Sequence, residues 1–258
     1  MEASRRDKSG EAGKLYVGTA GWSYSGWDKI FYPEKVKSTY ERLAFYSRSF
    51  NAVEVNYSFY HLPKPETCAR WSEIVLKDFH FAVKASRFIT HVKRLEGVGE
   101  AWEKFLASVR VLGDRLGPIL FQFPPSLQAD LDRLERFLSL VKLDRKTPRV
   151  RPVFEFRHRS WFTEASYDLL RDAGATLCIA HSSRYPYVEE VTAALIYYRF
   201  HGPKELFASK YGDEQLHSWA TQMRQHLNAG KAVHAYFNND VHGYAVENAR
   251  TLRALVSP

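Results

Sequence analysis

The 258-residue chain has only two cysteines, Cys68 and Cys178, far apart and without CxxC spacing. That excludes a disulfide framework and a zinc ribbon, and a reducing, cytoplasmic setting is expected. No apolar run approaches the ~20 residues of a membrane-spanning helix, so no membrane partner is expected. The opening stretch MEASRRDKSGEAGK lacks an apolar core and does not read as a secretory signal. Residues 1–13 are expected to be a flexible tail, and residues 14–258 to form one domain. A GxGxxG turn is also missing. The glycines of GTAGWSYSGW stand at 18, 21 and 26, which argues against an open dinucleotide-binding sheet. There is no GxSxG elbow and no HExxH or H-x-H pair, and neither cysteine has an evident histidine partner. His158, His181, His201 and His242 are scattered. Neither a metal nor a cofactor is therefore expected.

What the chain does have is apolar material and positive charge. Hydrophobic residues make up 45%, enough for a sizeable core. Lys and Arg number 37 against 29 Asp and Glu, a net charge of +8. An excess of this size points to an anionic partner or to nothing more than a basic surface.

Short apolar runs recur at 14–20, 51–60, 80–86, 118–124, 151–157, 175–181, 195–202 and 232–239, rich in Val, Ile, Phe and Tyr. Segments with helical spacing separate them, for example ADLDRLERFLSLVK, where Leu131, Leu134, Phe137, Leu138 and Val141 share a stripe. The sixth connection, SSRYPYVEEVTA, is short, contains a proline and is the weakest unit. Alternating strands and helices imply parallel strands with right-handed crossovers. Eight such units predict an α/β fold, a single-domain (β/α)8 TIM-like barrel, for which ~250 residues is typical.

Side chains alternate across a strand, so one set must face the lumen. In RPVFEFRHRSW, Phe154 and Phe156 then pack under helices, while Val153, Glu155 and Arg157 point inward. The same parity turns Glu54, Asn56, Lys84, Gln122, Arg199, His201 and Asn238 inward, with His181 at the end of strand six, near the rim that carries barrel active sites. Buried polar groups need partners. One reading is an internal network pairing Glu54 with Lys84 and Glu155 with Arg157 or Arg199. The other is a site. There Glu54 and Glu155 are the candidate acid–base pair, and Lys84, Arg157 and Arg199 form an anion clamp. Asn56, Gln122, His201 and Asn238 orient the ligand. Trp22 and Tyr24, in the loop after strand one, could stack on a ring.

Several stretches resemble the YecE-like family (domain of unknown function 72): VGTAGWSYSGW with FYP, FNAVEVNYSFYHLP, FAVKAS, LFQFPPS, FEFRHRSW, YYRFHGP and AYFNND followed by ENA. They run from residue 15 to about residue 250. The resemblance implies a TIM-like barrel and supplies no activity. The residues themselves point to a hydrolase, lyase or isomerase of a small anionic or sugar-phosphate-like substrate, binding a phosphate or carboxylate. The alternative is a nucleic-acid-binding or nucleic-acid-processing protein using the basic clusters RRDK and SRFITHVKR with the rim aromatics.

Overall fold

A computed structural model describes residues 13–143 and 150–257. The expected tail lies outside the described residues except for Gly13, whose N–H donates to the Leu227 carbonyl at 2.8 Å. Eight parallel strands follow in order: β1 (Leu15–Thr19), β2 (Ala52–Val55), β3 (His80–Lys84), β4 (Leu116–Gln122), β5 (Pro152–Glu155), β6 (Thr176–His181), β7 (Leu195–Phe200) and β8 (Ala232–Phe237). Their lateral order is β1-β8-β7-β6-β5-β4-β3-β2, a nearly closed barrel. The helices are α1 (Thr39–Ser49), the single turn α2 (Tyr57–Tyr60), α3 (Pro65–Ile74), α4 (Gly99–Val109), α5 (Leu131–Leu143), α6 (Glu164–Ala173), α7 (Asp213–Asn228) and α8 (Tyr244–Val256). No helix joins β6 to β7, where the proline-bearing segment 182–194 is irregular.

Local chemistry sets these boundaries. Ser38 and Glu41 close a reciprocal capping box on α1. Pro65 opens α3 where a missing N–H costs nothing. Thr163 caps α6, and Gly174, at φ 62°, stops it. Strand parity then divides the core in two. Ala52, Ala82, Leu120, Val153, Cys178, Ala180, Tyr197 and Tyr236 fill the lumen. Phe81, Phe121, Phe154, Ile179, Tyr198 and Phe237 belong to the larger layer between strands and helices. The lumen floor is a ring stack, Tyr16 lying 4.2 Å from His80 and 4.4 Å from His234.

Several strands are shorter than expected. β2 ends at Val55; Asn56 is in the right-handed helical region and leads into α2, and Tyr57 is exposed. Alternation cannot be extrapolated past the last ladder bond. His181 also departs from expectation. It turns outward, bonding the Tyr211 hydroxyl at 2.9 Å with its ring against Trp219. Cys178 and Ala180 take the lumen side of β6, which puts His181 on the opposite parity.

The seam between β1 and β2 is closed largely by side chains. Asn51 accepts from the Val17 N–H at 3.0 Å and donates to the Leu15 carbonyl at 2.7 Å. The Tyr46 hydroxyl accepts from the Thr19 N–H at 2.8 Å and donates to the Ala52 carbonyl at 3.2 Å. A single bridge, Ala20 to Glu54, supplements them. Gly18 must lack a side chain, since a Cβ there would lie 1.9 Å from the Ala52 oxygen. Tyr46→Phe strands a buried donor and a buried acceptor, so a loss of about 1–3 kcal/mol is expected in urea unfolding. A loss under about 0.5 kcal/mol would show that the hydroxyl does not hold the seam.

Candidate functional site

The inward parity of β2, β5 and β7 brings three charges together at the top of the lumen. Arg199 is 1% exposed, Glu54 0% and Glu155 1%. Arg199 grips Glu54 with two parallel bonds, Nη2 to Oε1 at 2.7 Å and Nε to Oε2 at 2.9 Å. Its Nη1 donates to Glu155 Oε2. The Tyr197 hydroxyl adds a 2.8 Å bond to Glu54 Oε2. On the other side, Arg157 Nε donates to Glu155 Oε1 at 2.8 Å. Burial alone would push the Glu155 carboxyl up, but Arg199 and Arg157 outweigh it and hold it well below its ordinary value of 4.5. Burial likewise disfavours a charged Arg199, and the two carboxylates reverse that.

Around this triad the other inward groups are neutral or weakly engaged. His201 is fully buried, and burial, followed by the charge of Arg199, lowers it to about 4. It is therefore a neutral imidazole at pH 7. The Asn238 amide lies 3.1 Å from its Nδ1, which leaves the ring proton on Nε2, 3.5 Å from Glu155 Oε1. Gln122 is inward, paired in register with Glu155, and donates to the Phe123 carbonyl. Lys84, at the end of β3, has its ammonium 4.0 Å from the centre of the Phe59 ring on α2. Among the described residues it makes no ion pair, so the Glu54–Lys84 pairing expected of an internal network is replaced by Glu54–Arg199. Burial, with the nearby Arg199 charge, brings Lys84 down to about 7.

The rim residues separate into two clefts. Trp22, Tyr24 and Asn56 line a cleft of ≈ 530 Å³ above β1 and β2, with Thr39, Tyr40 and Trp71. Trp22 is held by a bond to the Thr39 carbonyl and stands edge-on to Trp71. The buried Oδ1 of Asn56 has no partner. On the far side, Arg157 lines a cleft of ≈ 630 Å³ with Arg159, Arg184 and Tyr185. Its guanidinium lies on the Tyr185 ring at 4.3 Å. One carboxylate escaped the parity reading, Asp240, three residues past the end of β8. Burial raises it to about 6, and its Oδ1 lacks a partner. The signal was available in AYFNND, where an acid follows a strand at the functional rim. Among the described residues, no three His, Cys, Asp or Glu cluster as a metal site.

A closed parallel barrel with charged side chains gathered at the C-terminal ends of its strands has the architecture of the (β/α)8 class. Within that class the chain belongs to the family described as "Protein of unknown function DUF72", whose profile matches residues 16–258. It is 24% identical over 273 residues to the UPF0759 protein YunF of Bacillus subtilis (strain 168), covering 94% of each chain. It is 33% identical over 126 residues to the UPF0759 protein YecE of Escherichia coli (strain K12), or 48% of this chain and 43% of that one. A crystal structure of a DUF72 family protein from Thermotoga maritima superposes with a TM-score of 0.80 at 26% identity, over 94% of this chain and 99% of that one. A D-psicose 3-epimerase, at TM-score 0.53 and 12% identity, shares the fold. No described helix is long and apolar enough to cross a membrane.

Removing Arg199 should leave Glu54 buried without a cation and Glu155 with Arg157 alone. Arg199→Met is expected to cost about 3–5 kcal/mol at pH 7.5. The sign of the pH dependence should also reverse. In the native chain the depressed Glu155 contributes stability that is full above its ordinary value of 4.5 and lost as pH falls through its folded value. In the variant Glu54 is buried without a cation, which favours its neutral form, so stability returns on acidification. Urea unfolding at pH 5 and 7.5 reads both, and a variant with the native pH slope would show the pairing to be unimportant.

Proposed function

We propose that this protein is an enzyme acting on a small anionic substrate at the C-terminal mouth of the barrel. The observation that supports the reading best is the convergence of Arg157, Arg159 and Arg184 on one cleft. Only the Nε of Arg157 is committed to Glu155, so among the described residues its two terminal nitrogens remain for a ligand. Presented flat against Tyr185, they suit the two oxygens of a phosphate or carboxylate. Arg159 and Arg184 are exposed at the cleft edge and add long-range attraction.

The assigned roles follow from what each group has left to offer. Arg199 directs all three of its guanidinium nitrogens at the carboxylates of Glu54 and Glu155. It and Glu54 therefore act as positioning groups, fixing Glu155, rather than as ligand contacts. Glu155, ionised and adjacent to Arg157, is the candidate base. His201 and Asn238 orient the reacting part of the substrate, and Gln122 borders it. Trp22, Tyr24 and Asn56 offer a separate, aromatic surface across the mouth for the uncharged end of a longer ligand.

Titration calorimetry tests the anion cleft. Inorganic phosphate or a three-carbon phosphate should bind saturably, more weakly as salt rises. Arg157→Gln should weaken that binding at least tenfold, while Arg136→Gln, on exposed α5, leaves it unchanged. Phosphate that does not bind would overturn the reading. Retention of single-stranded oligonucleotide at low salt, without phosphate binding, would replace it with a nucleic-acid role.

A further inference from the structure

Of the three inward cations at the mouth, Arg157, Arg199 and Lys84, Lys84 alone makes no ion pair among the described residues. Arg199 takes both buried carboxylates, and Arg157 takes the remaining oxygen of Glu155. Lys84 enters the same lumen from the end of β3, where its neighbour on the inward parity, Ala82, belongs to the luminal cluster. Its ammonium is set against the face of Phe59. Ser58, one residue earlier on α2, donates to the Lys84 carbonyl at 2.6 Å and ties α2 to the end of β3. An anion-holding lysine needs no such wall and is best left charged. An apolar wall with no acidic partner is the setting that exposes a free amine.

We propose that Lys84 is a nucleophile that forms an imine with the carbonyl carbon of a small oxo-acid or oxo-phosphate whose anionic group is held by Arg157. The inference rests on the anion cleft of the proposed function and adds the class of substrate and the bond made. The amine nitrogen attacks the carbonyl carbon to give a carbinolamine. One amine proton passes to the oxygen in that addition, the second leaves nitrogen as the hydroxyl departs as water, and a carbon–nitrogen double bond remains. No other reactant is required. Glu155, bonded to Arg157, is among the charged groups acting on Lys84. Its negative charge also favours the cationic form of the imine.

The surroundings set how much free amine is present. Besides Arg199, Glu155, Glu54 and Arg157, the charged groups acting on Lys84, a neutral His91 packs edge-on against Phe59. Burial is the largest cause of the lowering to about 7. A substantial share of Lys84 is then unprotonated at neutral pH, against roughly four parts in ten thousand for an ordinary lysine.

Reductive trapping tests the proposal on the intact chain. Pyridoxal 5′-phosphate, dihydroxyacetone phosphate and pyruvate serve as probes at pH 7 with cyanoborohydride, followed by peptide mapping. The expected result is one reduced adduct per chain, on Lys84 at least tenfold above any other lysine, and suppressed by inorganic phosphate. Lys84→Arg, which keeps the charge but cannot form an imine, should lose the adduct and still bind phosphate. Arg157→Gln should slow labelling by the anionic probes without changing the rate with acetone. Labelling spread evenly over surface lysines, or none on Lys84 in a chain that binds phosphate, would overturn the imine while leaving the anion cleft standing. Lys84 labelled as fast by acetone as by the phosphates would detach the lysine from the cleft and overturn the proposed substrate class.

Discussion

The mouth of this barrel depends on one interaction, the buried pairing of Arg199 with Glu54 and Glu155. Moving three charges out of water is costly, and only close geometry recovers that cost. Here the geometry comes from strands β2, β5 and β7, which place one inward residue each at the same height. The pairing also leaves nothing over. Because Arg199 consumes both carboxylates, the other cations keep their charge or their chemistry for something else. Arg157 retains two donors for the open cleft, and Lys84 retains an ammonium with only a ring beside it. A tightly satisfied centre thus produces a less satisfied rim, where a ligand has something to offer.

Much of this was legible in the sequence because a strand's period of two is rigid. The inward positions of Glu54, Lys84, Gln122, Glu155 and Arg199 followed from alternation alone, and the eight-unit count predicted the barrel. What alternation could not supply was pairing. Glu54 has Lys84 on the adjacent strand but bonds Arg199 from β7, across the lumen. Sequence spacing carries no information about contacts through the interior of a closed sheet. Alternation also failed at strand ends, since nothing in FNAVEVNYSFY marks Asn56 as the point where the chain turns helical. His181 was misplaced for a related reason. As a polar residue ending a strand it suggested the lumen, yet its own strand's parity sends it outward to Tyr211 and Trp219.

The rim divides by side. Above β1 and β2 the walls are aromatic; the cleft after β5 and β6 is built of arginines. These lie on opposite sides of an eight-stranded ring, so a ligand reaching both would cross the charged centre. The missing helix between β6 and β7 contributes to this asymmetry. Without a helix to house, segment 182–194 brings Arg184 and Tyr185 to the cleft and still lets Tyr187 pack on Trp219 of α7.

The β1–β2 seam has its own consequence for how the chain assembles. Every other neighbouring pair is zipped by backbone ladders, but this joint waits for Tyr46 on α1 and Asn51 just after it. Ring closure is thus coupled to the docking of one particular helix. Without α1 seated, β1 and β2 would each present an unpaired edge, the kind that recruits strands from other chains. The two polar side chains that cover those edges come well before β8, the last strand they help to enclose.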